Sequence, residues 1–151
     1  MANAVDNLLR HPIGPDGYEF HSRVAASTRI FEGTMVAQLT NGAGLVRATT
    51  ASSGHVLGVA MHEADNSAGA VGDKRLKVET NRIYAFNNAG SNSVSEATPV
   101  GTLLYAVDDN TVATAGTTAA GYFVGMEPDG RVRVYISPAI ALAMRGIGEP
   151  V

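Results

Sequence analysis

The four histidines, His11, His21, His55 and His62, are the side chains best suited to bind a metal or move a proton near neutral pH, yet none has a partner at ligand spacing. His62-Glu63-Ala64-Asp65-Asn66 begins like the zinc-protease helix motif but carries Asn66 where the second histidine belongs. Asp65-Asn66-Ser67 and Asp108-Asp109-Asn110 gather carboxylates as calcium loops do, and neither runs on to a terminal glutamate, so both read as turns. Gly69-Ala70-Val71-Gly72-Asp73-Lys74 is glycine-rich like a phosphate loop, but it lacks the Gly-Lys-Ser/Thr ending and leads into a strand, so no helix N-terminus faces a phosphate. Serine and threonine are abundant without a nucleophile-elbow motif. With no cysteine there is no disulfide, thiolate zinc site or thiol nucleophile. The chain is therefore expected to be no enzyme, with no catalytic residues, no cofactor, no metal and no small-molecule substrate. The absence of tryptophan argues against a sugar-stacking platform.

The elements that hold these residues are those of a chain of 151 residues, 45% of them hydrophobic, which is enough for one domain with a core of its own. A formal charge of -3 without a basic run gives little attraction to a phosphate backbone, so no nucleic-acid partner is expected. No apolar stretch approaches the roughly 18 residues of a spanning helix, and residues 1–10 lack the pattern of a signal peptide. Synthesis in the cytoplasm and no membrane partner are the expectation.

Short apolar runs broken by Gly, Asn, Asp, Ser and Thr give an all-β signal from Val24 onward. The run Gly54-His55-Val56-Leu57-Gly58-Val59-Ala60 has a relative in Gly121-Tyr122-Phe123-Val124-Gly125-Met126. Each follows a Gly-Thr (Gly33-Thr34, Gly101-Thr102), a polar turn and a Thr/Ala/Ser tract. This predicts two related hairpin units closing on each other in one small barrel or sandwich. Asn41-Gly42 predicts a tight hairpin, and Glu127-Pro128-Asp129-Gly130 a turn before the last strand. Leu76 and Val78 are expected inward, and residues 63–72 read as an exposed loop. Val132, Val134 and Ile136 alternate toward the core, leaving Arg131, Arg133 and Tyr135 on the outer face. Residues 1–22 hold Leu8, Leu9, Ile13, Tyr18 and Phe20 among Pro12, Gly14, Pro15 and Gly17, and they read as an arm too interrupted for a strand. Beyond Pro138, Ile140, Leu142 and Met144 suit a strand as well as the alanines suit a helix. The resulting division is an arm over 1–22, a β-barrel domain over 23–137 and a tail over 138–151.

The series Ser27-Thr28-Arg29-Ile30-Phe31-Glu32-Gly33-Thr34-Met35-Val36, Val56-Leu57-Gly58-Val59-Ala60, Asp65-Asn66-Ser67-Ala68-Gly69-Ala70 and Val107-Asp108-Asp109-Asn110-Thr111-Val112-Ala113 resembles capsid decoration proteins of tailed bacteriophages, also called head-stabilising or cement proteins. The resemblance implies a small β-barrel of the β-tulip type. It implies a homotrimer at threefold and quasi-threefold positions on the outer surface of the virion head, bridging subunits of the major capsid protein. It also implies an N-terminal arm laid on that protein, with Leu8, Leu9, Ile13, Tyr18 and Phe20 as its anchors, and makes the outer face of Arg131, Arg133 and Tyr135 a candidate trimer or capsid contact. Two other readings stand beside it: another virion component, such as a head-fibre base or tail protein, and a β-rich ligand-binding module.

Overall fold

The computed structural model describes residues 3–8, 18–50 and 53–139, and every element in it is a β-strand. In chain order these are β1 (Tyr18–Arg23), β2 (Thr28–Ile30), β3 (Met35–Leu39), β4 (Leu45–Arg47), β5 (Ser53–Ala60), β6 (Ala64–Asn66), β7 (Arg75–Thr80), β8 (Arg82–Asn88), β9 (Leu103–Asp108), β10 (Thr111–Ala113), β11 (Ala119–Met126) and β12 (Val132–Ile136). Period-two burial accounts for the clearest of them. Leu76, Val78 and Thr80 on β7, and Val132, Val134 and Ile136 on β12, are buried while their neighbours are not.

The strands form a five-stranded open sheet in the order β1-β7-β5-β3-β4, a closed barrel, and a β2-β6 ribbon. Read from β8, the barrel runs β8-β12-β11-β9-β10 and closes where β10 pairs with β8 in parallel. That is the order of the open sheet with β8 in the place of β1, β12 of β7, β11 of β5, β9 of β3 and β10 of β4. The ends of the open sheet touch at one parallel bridge, Val24 with Leu45, where the barrel pairs Asn88 with Val112. The next amide repeats the match: Ala25 donates to Leu45 O at 3.0 Å, and Ala89 to Val112 O at 3.0 Å.

The duplication is thus real, but each copy is a five-stranded unit and not a hairpin. Its register also differs from the one the glycines suggest. Gly58 stands opposite Val36, and Gly121 opposite Leu104, so the true partners are Gly58 and Gly121, not Gly54 and Gly121. A Cβ at Gly58 would overlap the Glu79 carbonyl oxygen on β7, and one at Gly121 the Tyr135 carbonyl oxygen on β12. The glycine is there because a neighbouring backbone passes too close for a side chain. The Gly-Thr pair repeats as well. Gly33 and Gly101 have φ of 82° and 94°, and Thr34 and Thr102 donate their hydroxyls to Phe31 O and Pro99 O at 2.8 and 2.6 Å.

Two cores follow. Val24, Ile30, Val36, Leu45, Leu76 and Val78 fill the first unit, with the β2-β6 ribbon lying on it through Ile30 and Ala64. The barrel is filled by Phe86, Leu104, Phe123, Val132, Val134 and Ile136 among others, and Met35, Ala48, Val56 and Val59 of the first unit join that cluster. Residues 35–37 of β3 and 58–60 of β5 are therefore buried from both sides.

Three expectations are corrected. Among the described residues strand content begins at Tyr18, not after residue 22: Tyr18 to Arg23 pair with Thr80 to Arg75, and Phe20 packs on the first core. Residues 63–72 are not all loop. Ala64–Asn66 pairs with Thr28–Ile30, and buried Asn66 donates to Ala25 O and Ala70 O, both at 2.9 Å. The β3-β4 hairpin is wider than a two-residue turn, because Leu39 N–H reaches back to Gly44 O at 3.0 Å and the positive φ falls on Gly42 and Gly44, not on Asn41.

Candidate functional site

The two units meet under the N-terminal segment, and the residues there come from places far apart in the chain. The β9-β10 turn carries Asp109, whose carbonyl oxygen accepts the Met35 amide at 2.8 Å and whose carboxylate accepts the Ala4 amide at 2.7 Å. The Asp109 amide in turn donates to Asn3 Oδ1 at 3.1 Å. Arg47, at the end of β4, donates to Ala4 O at 3.1 Å and Arg29 O at 2.9 Å, and its Nε lies 3.9 Å from Asp109 Oδ2. Farther along, the Glu32 amide donates to Asn7 Oδ1 at 2.9 Å, the Asn7 side-chain amide to Glu63 Oε1 at 3.0 Å, and the Leu8 amide to Glu32 O at 2.7 Å.

Phe31 is buried between two guanidinium groups, with Arg29 4.7 Å and Arg47 5.0 Å from its ring centroid. The ring face attracts both cations, and Arg29 Nε donates to Glu63 Oε2 at 2.6 Å, which fixes it over the ring. Burial pushes the Asp109 carboxyl above its ordinary range, against the Ala4 hydrogen bond and the Arg47 charge that pull it down. The site is thus a set of positioning contacts. Among the described residues it holds no nucleophile beside a base.

A cavity of about 210 Å³ lies next to it, lined by Glu32, Gly33, Val59, Met61, Glu79, Arg82 and Tyr84. Tyr84 donates its hydroxyl to Glu79, and Arg82 pairs with the other oxygen of that carboxylate at 3.2 Å. No serine or threonine lines it. Two shallow grooves occupy matched places in the two units: about 400 Å³ beside Leu39, Thr40, Gly54 and His55, and about 420 Å³ beside Val107, Thr117 and Thr118.

Among the histidines, His62 accepts the Lys77 amide on Nε2 at 3.1 Å, which places its proton on Nδ1 toward Glu63 O. His21 is exposed on β1, His55 lies on β5, and His11 is outside the described residues. Asp65 accepts the Ser67 amide and hydroxyl at 3.1 and 2.6 Å, and Asp108 accepts the Asn110 amide at 2.8 Å, so both acidic stretches are turns closed by their own side chains. Among the described residues no three His, Asp or Glu side chains group to hold a metal ion.

The arm residues are dispersed. Leu8 sits in the seam, Tyr18 is on β1 and Phe20 packs on the first core, while Leu9 and Ile13 are outside the described residues, as is the tail from Ile140 onward. Arg133 and Tyr135 share the outer side of β12, and Arg131 precedes it; Arg131 pairs with Asp129 at 2.8 Å and Arg133 with Glu127 at 3.2 Å. Sequence reasoning missed Asn3, Asn7, Phe31, Arg47 and Asp109 as one group. Asp109 lay in a recognised polar turn, but nothing local points from it to Ala4, 105 positions away.

No family model, no curated protein and no solved structure matches the chain.

Proposed function

We propose that the protein is a structural component of a tailed-bacteriophage virion that decorates the outer surface of the icosahedral head, as a homotrimer at threefold and quasi-threefold positions, and stabilises it by bridging major capsid protein subunits. In this reading the barrel and open sheet together make a fold of the β-tulip type. The observation that carries it is convergence. The stretches that bear the resemblance meet in space: β2 pairs with β6, the Ala60 amide donates to Thr34 O at 3.0 Å, and the Met35 amide to Asp109 O at 2.8 Å. They pack together with most of their residues buried, and the N-terminal segment is bonded to Glu32 and Asp109 among them.

That seating is balanced enough to be exchanged. Its hydrogen bonds contribute about 1 kcal/mol each net, while ordering each residue costs about 1–2 kcal/mol. A capsid surface that pairs with the segment and buries Leu8, Leu9 and Ile13, at about 1.5–3 kcal/mol per anchor, outcompetes it, and three arms acting together multiply the effect. Phe20, engaged in the first core, serves the domain before any partner. Reinforcement of this kind needs no chemistry, only contacts that must break before the shell parts.

The test is co-sedimentation of the purified protein with assembled phage heads that lack it. Saturable binding, with a rise in the temperature at which heads release DNA, is expected. Protein that stays in the supernatant at every concentration refutes the reading.

A further inference from the structure

Asn41-Gly42 is the one Asn-Gly step in the chain. It lies in the turn between β3 and β4, closed where Leu39 N–H reaches Gly44 O, and both residues are exposed. An asparagine side chain is open to attack at Cγ by the backbone nitrogen of the residue that follows, and glycine there has no side chain to hinder the approach. Gly42 has φ of 78° and open space around the position a Cβ would take. The Ala43 amide already donates to Asn41 Oδ1 at 2.9 Å, on the oxygen where negative charge develops during attack. What restrains the Gly42 nitrogen is its own hydrogen bond to Leu39 O at 2.9 Å. That bond belongs to an exposed turn, and such turns open at little cost.

Every other asparagine precedes a residue with a side chain, and several are held besides. Asn66 is buried with its amide on Ala25 O and Ala70 O, Asn88 exchanges hydrogen bonds of 2.7 and 2.9 Å with Val94, and Asn7 is bonded to the Glu32 amide and to Glu63. Asp129-Gly130, in the exposed turn before β12, is an acid followed by glycine. Both of its carboxylate oxygens are taken by Arg131, through the amide at 3.0 Å and the guanidinium at 2.8 Å. The Arg131 amide first, and then its side chain, hold that carboxyl below its ordinary range, so the protonated form that could lose water is scarce.

We infer that Asn41 is a site of spontaneous modification in the folded protein, where the Gly42 nitrogen attacks Asn41 Cγ and the side chain is converted to aspartate or isoaspartate. The bond from Gly42 N to Asn41 Cγ forms as that from Cγ to Nδ2 breaks. The Gly42 amide proton passes to solvent, a proton from solvent goes to the departing nitrogen, and ammonia leaves. Water then adds to either carbonyl of the cyclic imide and opens it. Nothing is oxidised or reduced, and water is the only co-reactant. Each event places a negative charge beside the groove that Gly42 lines with Leu39, Thr40 and His55, and isoaspartate lengthens the turn by a backbone atom. Asn41 and Gly42 lie outside both cores, so the strands are kept. The reaction needs no partner and is independent of capsid binding.

The experiment is peptide mapping by mass spectrometry of the full-length folded protein held in mildly alkaline buffer, with a circular dichroism spectrum taken at each time point. Expected is the mass gain of an amide turned to an acid at residue 41, divided between aspartate and isoaspartate, while the spectrum stays unchanged. It is expected to accumulate roughly tenfold or more faster than at any other asparagine, and faster than isoaspartate at Asp129 by at least as much. Gly42→Ala, which puts a methyl group beside the attacking nitrogen, is expected to slow the conversion roughly tenfold. Should that variant not fold, Asn41→Gln, which must close a larger ring, takes its place and is expected to show no mass gain at 41. Residue 41 unchanged, another asparagine or Asp129 converting as fast, conversion only after the spectrum is lost, or a wild-type rate in the variant each overturns the inference.

Discussion

At the scale of single residues the molecule depends on two kinds of residue, a buried acid and two glycines. Asp109 titrates higher in the folded protein than in the unfolded chain because burial outweighs its bonds to Ala4 and Arg47. The folded state therefore holds its proton more tightly, and the contribution to stability is full below the ordinary aspartate value and falls as pH rises through the folded value. Asp109→Asn removes that titration while keeping an oxygen for the Ala4 amide. The difference in melting temperature, wild type minus variant, is expected to rise as pH is lowered from 7 toward 4; a difference that is flat or falls with acidification refutes the assignment. Gly58→Ala and Gly121→Ala are expected to destabilise by about 1–3 kcal/mol each, since a methyl group must displace backbone of the adjoining strand. Gly54→Ala, with open space around it, is expected to cost far less. Chemical denaturation of the three variants measures this, and equal losses would undo the matched register.

At the scale of elements, the apolar alternation of β7 and β12, the β3-β4 and β9-β10 turns and the existence of a repeat were all legible, because each is written in residues a few positions apart. The extent of the repeat was not. Gly54-x-x-x-Gly58 and Gly121-x-x-x-Gly125 share a spacing by coincidence of composition, and only strand pairing shows which glycine meets a neighbouring carbonyl. β1 was hidden because Pro15 and Gly17 directly precede it and only Tyr18 and Phe20 mark its alternation. β6 was hidden because its sequence, Ala-Asp-Asn, is polar and is stabilised by the buried Asn66 side chain. These corrections change how the arm is tested. Deletion of residues 2–22 takes most of β1 with it, whereas deletion of residues 2–8 leaves the sheet whole. The shorter deletion is expected to yield folded protein within about 2 kcal/mol of wild type, because lost hydrogen bonds and returned entropy nearly offset, yet to weaken binding to phage heads, since Leu8 is lost while Leu9 and Ile13 stay. Undiminished binding takes Leu8 out of the anchor set.

At the scale of the whole molecule, two five-stranded units share a core to which Met35, Ala48, Val56 and Val59 of the first contribute, while Tyr122 and Tyr135 of the second stack on each other partly exposed. The seam that joins the units is also the seat of the N-terminal segment, whose Leu8 is one of the residues proposed to grip a capsid. A block with an N-terminal segment bonded across its seam suits the proposed reinforcing role, in which many weak contacts are set by geometry. The most direct measurement is electron cryomicroscopy of phage heads incubated with the purified protein. The account predicts added three-lobed density at the threefold and quasi-threefold positions of the outer surface, touching neighbouring capsid subunits. Heads indistinguishable from untreated ones, or density confined to fibres or the tail, would contradict it.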